Sequence, residues 1–169
     1  MPSHLRHPRW GVCGAEARVW RPRCVFRPGA QVDGVGASAL SANAGTLVLI
    51  IDDGDENRAI YRGYLEHAGY QVVEAADATD GIAIAKELLP AIVVMDLSMP
   101  GVDGWEATRL LKSDATTRGI GIVALSAFHE PESRRRAREA GADFFLAKPC
   151  LPRELTLHVS ECIRRRRSA

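Results

Sequence analysis

The sequence predicts an α/β protein, doubly wound around a five-stranded parallel sheet with helices on both faces. Five runs, LVLII (47–51), QVVEA (71–75), AIVVM (91–95), GIVAL (121–125) and DFFLA (143–147), are strand-length and mostly rich in β-branched or aromatic residues. Between and after them lie five longer stretches whose apolar residues recur at helical spacing. The runs are close to continuously apolar, the pattern of strands buried on both faces, which is how parallel sheets are built.

Each element has its own justification. LVLII ends at Asp52-Asp53, and ENRAIYRGYLEHAG follows as a helix that Gly69 closes in the manner of a C-terminal cap. QVVEA leads into ATDGIAIAKELL. AIVVM runs straight into Asp96 and then the Pro100-Gly101 turn, before GWEATRLLKS. GIVAL is followed by Ser126, and PESRRRAREAG is closed by Gly141. DFFLA precedes Lys148-Pro149, and LPRELTLHVSECI forms the last helix.

Charge is laid out unevenly. Residues 1–45 carry six arginines against Glu16 and Asp33, and Arg164–Arg167 add four more. The stretch 46–163 holds 12 Lys and Arg against 19 Asp and Glu, a net of −7. Residues 1–45, with four prolines and neither a strand nor a helix period, are expected to be a disordered basic extension. The expected organisation is therefore this extension, a domain over 46–163, and a short basic tail at 164–169. Cys13, Cys24, Cys150 and Cys162 form no CxxC pair, which argues against a zinc site or a disulfide framework. No apolar run reaches the length of about 18 residues that a membrane span needs, so a soluble, cytoplasmic protein is expected.

A carboxylate at the end of a buried run costs several kcal/mol unless a metal, a cation or hydrogen-bond donors offset its desolvation. In an open parallel sheet, sites lie at the carboxyl ends of the strands. Asp52 and Asp53 close the first strand and Asp96 the third; Ser126 follows the fourth and Lys148 the fifth, so all five fall at one sheet edge. Carboxylates brought together there raise one another's pKa unless a divalent cation sits among them, and oxygen ligands with open water positions suit Mg²⁺. The lysine and the hydroxyl add a cation and a donor fit for a phosphoryl group. Taken singly, each residue has a plainer reading, such as a helix N-cap for Asp52 or a loop hydroxyl for Ser126.

The pieces IIDD (50–53), VVMDLSMPGVDG (93–104), ALSA (124–127) and FLAKP (145–149), in this order, resemble the receiver domain of bacterial two-component response regulators. The resemblance covers about 118 of the 169 residues. It implies a flavodoxin-like sheet of order 2-1-3-4-5 and a phosphoacceptor role for Asp96, charged by a histidine kinase or phosphotransfer protein. It also implies Mg²⁺ held by Asp53, Asp96 and the Ser98 main-chain carbonyl, with Asp52 acting mainly through water. Ser126 and Lys148 would contact the phosphoryl oxygens, the Lys148-Pro149 bond would be cis, and Ser126 with Phe145 would form the switch.

Two positions depart from common family usage. Phe145 stands where many relatives have tyrosine, so only ring burial can report activation, and a bulky Phe128 would shield the acyl phosphate from water. Such a protein is a signalling receiver and not an enzyme. Only 21 residues follow Lys148, which implies output by docking on a downstream protein effector, as a monomer or weak dimer, without specific nucleic-acid or membrane binding. Two other readings compete. A pseudo-receiver would bind partners without phosphorylation. A haloacid-dehalogenase-type phosphatase would use Asp53-x-Asp55, although the further acidic pair it needs late in the core is missing.

Overall fold

The computed structural model describes residues 43–100, 103–128 and 130–168. The expected disordered extension lies almost entirely outside the described residues.

Strands β1 (Leu47–Ile51), β2 (Gln71–Ala75), β3 (Ile92–Asp96), β4 (Gly121–Ser126) and β5 (Phe144–Ala147) alternate with five helices: α1 (Asp55–His67), α2 (Ala78–Leu88), α3 (Gly104–Ser113), α4 (Pro131–Glu139) and α5 (Pro152–Arg167). All strand pairs are parallel, in the order β2-β1-β3-β4-β5. This is the order the resemblance implies.

The continuous apolar strands serve two cores, because successive side chains leave a strand on opposite faces. Leu49 and Ile51, Val93 and Met95, and Ile122 and Ala124 face one side, where α2, α3 and α4 cover them with Ala85, Leu111 and Ala137. Val48 and Ile50, Ile92 and Val94, and Val123 and Leu125 face the other, against Leu65 of α1 and Leu155 and Val159 of α5. Each fully buried aliphatic side chain of this kind contributes about 1.5–3 kcal/mol, so the central strands anchor the edge that carries the carboxylates.

The boundaries depart from the sequence reading in instructive places. β3 includes Asp96, because pairing with β4 continues to Asp96↔Leu125 and Leu97 N–H still donates to Leu125 O at 2.8 Å. β5 starts at Phe144, and Asp143 just ahead of it is tied to β4 and α3: its carboxylate accepts from Ile122 N–H and from Lys112 Nζ, both at 2.8 Å. α5 runs on through Arg164–Arg167. The expected basic tail is thus mostly the last turn of a packed helix, with positive charge at the favourable end of the helix dipole. Arg166 reaches back to Gly119 O and lies 3.6 Å from Asp143.

Both expected C-terminal glycines adopt the left-handed conformation, φ 92° at Gly69 and 98° at Gly141, and Gly69 N–H caps Glu66 O at 2.9 Å. Gly104 is required by space. A Cβ there would lie 2.3 Å from Asp96 O and 2.8 Å from Leu97 Cα, so the start of α3 rests directly on the strand end that bears Asp96.

Candidate functional site

The site is assembled by register. β1 and β3 are neighbours with Ile51 opposite Met95, so the next residues, Asp52 and Asp96, leave adjacent strands at the same level. Across β4, Ser126 pairs with Ala147, and Lys148 follows. Lys148 N–H donates to Ser126 O at 2.7 Å, which ties the fifth strand end to the fourth. The Lys148-Pro149 peptide is cis.

Asp52 and Asp96 are 1% and 3% exposed, and Asp53 is exposed beside them. One carboxylate oxygen from each of the three lies within 4.8 Å of the others. Lys148 Nζ donates to Asp52 Oδ2 and Asp96 Oδ2, at 2.7 Å each. Burial disfavours the Lys148 ammonium, but its hydrogen bonds and its attraction to Asp52 and Asp96 outweigh that, and its pKa lies above the ordinary lysine value. Three carboxylates against one ammonium leave a formal charge of −2 in a largely buried corner. That deficit, offered by hard oxygen donors, fits a divalent cation such as Mg²⁺.

Each buried carboxylate is also held by local donors. Ser98 N–H donates to Asp96 Oδ1 at 2.8 Å. Gly54 N–H donates to Asp52 Oδ1 at 2.8 Å, Asn57 Nδ2 joins the same oxygen at 3.3 Å, and Arg58 donates to the Asp52 carbonyl at 2.6 Å. Among the described residues, no buried side-chain nitrogen or oxygen lacks a partner. Sequence reasoning missed Asn57 and Arg58. They sit in the first turn of α1, and no spacing rule pairs a strand-end residue with one five places on.

The remaining expected residues lie close by but are engaged locally. Ser126 is fully buried, and its Oγ accepts from Phe128 N–H at 3.0 Å. Ser98 Oγ accepts from Ala127 N–H at 3.0 Å, linking the loops after β3 and β4. Phe128 is 58% exposed. Phe145 is half-buried against the α2–α4 side of the core, with the Arg134 guanidinium 5.6 Å from its ring centroid. Asp55, the second acid of the Asp53-x-Asp55 alternative, is 89% exposed and pairs with Arg58. It is not among the carboxylates that converge with Asp53, which removes the support for the phosphatase reading.

Beside Lys148 opens a groove of about 440 Å³, lined by Asn57, Ile60, Tyr61, Pro149 and Cys150 among others. Tyr61 OH and Cys150 Sγ are 3.4 Å apart. Burial raises the Tyr61 and Cys150 pKa values, so both stay protonated at neutral pH. Cys150 and Cys162 are free thiols. Among the described residues no helix is long and apolar enough to cross a membrane.

A parallel sheet of this order, with an acidic cluster and a lysine at the carboxyl edge, defines a receiver-type signalling module. The chain belongs to the response regulator family: residues 48–160 match the model of the response regulator receiver domain. It is 36% identical over 118 residues to the phosphate regulon transcriptional regulatory protein PhoB of Klebsiella pneumoniae, covering 70% of this chain and 52% of PhoB. Over 102 residues it is 30% identical to the polar-differentiation response regulator DivK of Brucella anthropi, covering 60% of this chain and 83% of DivK. The fold superimposes on the Vibrio cholerae chemotaxis protein CheY4 with a TM-score of 0.67 and 27% identity, over 70% of this chain and 99% of CheY4. The chain thus spans about half the length of its PhoB relatives and most of the length of DivK and CheY4.

Proposed function

We propose that the domain takes up a phosphoryl group on Asp96 from a phosphohistidine donor, in a Mg²⁺-dependent reaction, and that the modification resets a protein-docking surface. The observation that carries this reading is Lys148 Nζ at 2.7 Å from both Asp52 Oδ2 and Asp96 Oδ2, with Asp53 at the rim. A nucleophile, a cation and an unneutralised pair of negative charges stand at one point of the sheet.

The chemistry needs positioning and charge neutralisation more than covalent assistance. An Asp96 carboxylate oxygen bonds to phosphorus as the P–N bond of the donor breaks, and the imidazole nitrogen keeps the electron pair. Asp53, Asp96 and the Ser98 carbonyl would hold Mg²⁺, with Asp52 acting through water, and the ion would supply the charge that lets an anionic phosphoryl group approach. Lys148 exchanges a carboxylate oxygen for a phosphoryl oxygen, and the Ser126 hydroxyl, released from Phe128 N–H, supplies a further donor. Water attack on phosphorus later returns the carboxylate and inorganic phosphate. The groove beside Lys148, with Ile60 50% exposed, offers the donor protein an apolar landing next to the nucleophile. A histidine kinase or phosphotransfer protein is the donor class, and a cytoplasmic setting follows from that partner.

The test is phosphorylation by acetyl phosphate followed by intact mass. One phosphoryl adduct is expected with Mg²⁺, removable by hydroxylamine as an acyl phosphate must be, and none with EDTA. An adduct formed equally well in EDTA overturns the metal-dependent reading, and no adduct at all favours the pseudo-receiver.

The switch reading gives a second expectation. Ser126 moves toward the phosphoryl group and Phe145, which lacks a hydroxyl, fills the space vacated by turning further into the core; bistable packing of this kind amplifies small shifts at a site. Amide NMR spectra with and without beryllofluoride are expected to differ most over residues 126–150, which adjoin the α4–β5–α5 face. Shifts confined to α1 and α2 count against it.

A further inference from the structure

Asp52 has more protein donors than any other carboxylate of the cluster. Its Oδ2 accepts from Lys148, its Oδ1 accepts from Gly54 N–H at 2.8 Å and from the Asn57 amide at 3.3 Å, and Arg58 takes its main-chain carbonyl. Asp96, by comparison, receives Ser98 N–H and Lys148, and the exposed Asp53 has no protein hydrogen bond among the described residues.

The Asn57 contact depends on what stands at position 54. Gly54 has φ −84° and ψ 111°, backbone angles open to every residue type, so its conformation does not call for glycine. Its surroundings do. A Cβ on Gly54 would lie 2.9 Å from Asn57 Nδ2 and 3.1 Å from Asp52 Oδ1, in the gap through which the amide reaches the carboxylate. Gly54 and Asn57 therefore act as one unit: the glycine contributes an N–H and leaves the room that the amide uses.

We infer that Asn57, admitted by Gly54, is a positioning residue that occupies Asp52 Oδ1 and thereby sets which divalent cation the acidic cluster prefers. With Oδ1 engaged by two protein donors and Oδ2 by Lys148, Asp52 is restrained from turning to bind a cation directly. Direct protein oxygens then come from Asp53, Asp96 and the Ser98 carbonyl, and water fills the other positions. Mg²⁺ suits that arrangement, because it dehydrates reluctantly and is usually bound through one or two carboxylates. Ca²⁺ takes six to eight oxygens in flexible geometry and gains from any carboxylate free to swing in. Freeing Asp52 therefore moves the preference from Mg²⁺ toward Ca²⁺. This inference rests on the cation site proposed above.

The test is calorimetric titration of the full chain with MgCl₂ and with CaCl₂, for the native protein, Asn57→Ala, Gly54→Ala and the double variant. Thermal melts in EDTA verify that each is folded. The Mg²⁺/Ca²⁺ affinity ratio is expected to fall by about tenfold in Asn57→Ala, the scale on which partners behind a ligand act. Gly54→Ala, which displaces the amide without altering it, is expected to lower the ratio in the same direction. The double variant is expected to match Asn57→Ala, because the glycine acts through the amide. A purely structural role would lower stability or weaken both ions alike and leave the ratio unmoved. An unchanged ratio in both single variants overturns the inference and leaves the cation site standing. Absence of divalent binding by the native protein overturns both.

Discussion

Asp96→Asn is expected to abolish phosphoryl uptake from acetyl phosphate, with no adduct detected by intact mass under conditions that fully modify the native protein. The carboxamide oxygen is a poor nucleophile and cannot form an acyl phosphate, so the loss is one of chemistry and needs no unfolding. The geometry also shows why the fold should survive. Asp96 receives two donors, Ser98 N–H on Oδ1 and Lys148 Nζ on Oδ2. An asparagine can keep its oxygen on one of them, at the cost of about one hydrogen bond, on the order of 1 kcal/mol. Against that loss, removal of one negative charge from the Asp52, Asp53 and Asp96 cluster relieves like-charge repulsion. A urea midpoint close to that of the native protein is therefore expected alongside the missing adduct. An adduct that persists in Asp96→Asn would move the acceptor role to Asp52 or Asp53.

Much of this site is legible in the primary structure because strand-end chemistry and a parallel sheet constrain each other. Once LVLII, AIVVM, GIVAL and DFFLA are read as neighbouring parallel strands, Asp52, Asp96, Ser126 and Lys148 have to share one edge. Less legible are the contacts set by side-chain reach. That the Lys148 ammonium bridges Asp52 and Asp96, 96 and 52 positions away, depends on the length of its stem and on the path of the loop after β5. Asn57 meets Asp52 only because position 54 carries no side chain, and a glycine between an aspartate pair and a helix reads equally well as a loop residue. The one-residue differences at β3 and β5 have the same origin. Asp96 is polar and ends an apolar run, so it reads as the residue after the strand, whereas backbone pairing takes it into the ladder; Asp143, read as the first residue of the fifth strand, lies just before it. The arginines after Ile163 read as a solvated, basic helix end, and the last helix does run through them to Arg167, with Arg166 also reaching Asp143 and Gly119 O.

Lys148→Ala is expected to cost about 3 kcal/mol of folding stability in EDTA, the lower end of what removing one partner from a buried ion pair costs. The lower end applies because the Lys148 side chain is 17% exposed, so water screens part of the effect, while the side chains of Asp52 and Asp96 are 1% and 4% exposed and remain unable to hydrate. For a domain of this size the loss corresponds to a fall of about 10 °C in the unfolding midpoint. Divalent cation enters with a definite sign. In the native protein the ammonium already neutralises part of the cluster, whereas in Lys148→Ala bound Mg²⁺ is the main remaining counter-charge, so added Mg²⁺ should raise the midpoint of the variant by more than it raises that of the native protein. Lys148→Arg keeps the charge on a bulkier, planar head and should recover part of the stability without recovering the shared 2.7 Å geometry. Differential scanning calorimetry of the three proteins with and without Mg²⁺ reads all of these effects. If the alanine variant melts with the native protein in EDTA, the ammonium contributes nothing net to the fold. If Mg²⁺ raises both midpoints equally, the cation and the ammonium do not share the same two carboxylates, and the arrangement proposed for phosphoryl transfer loses its electrostatic basis.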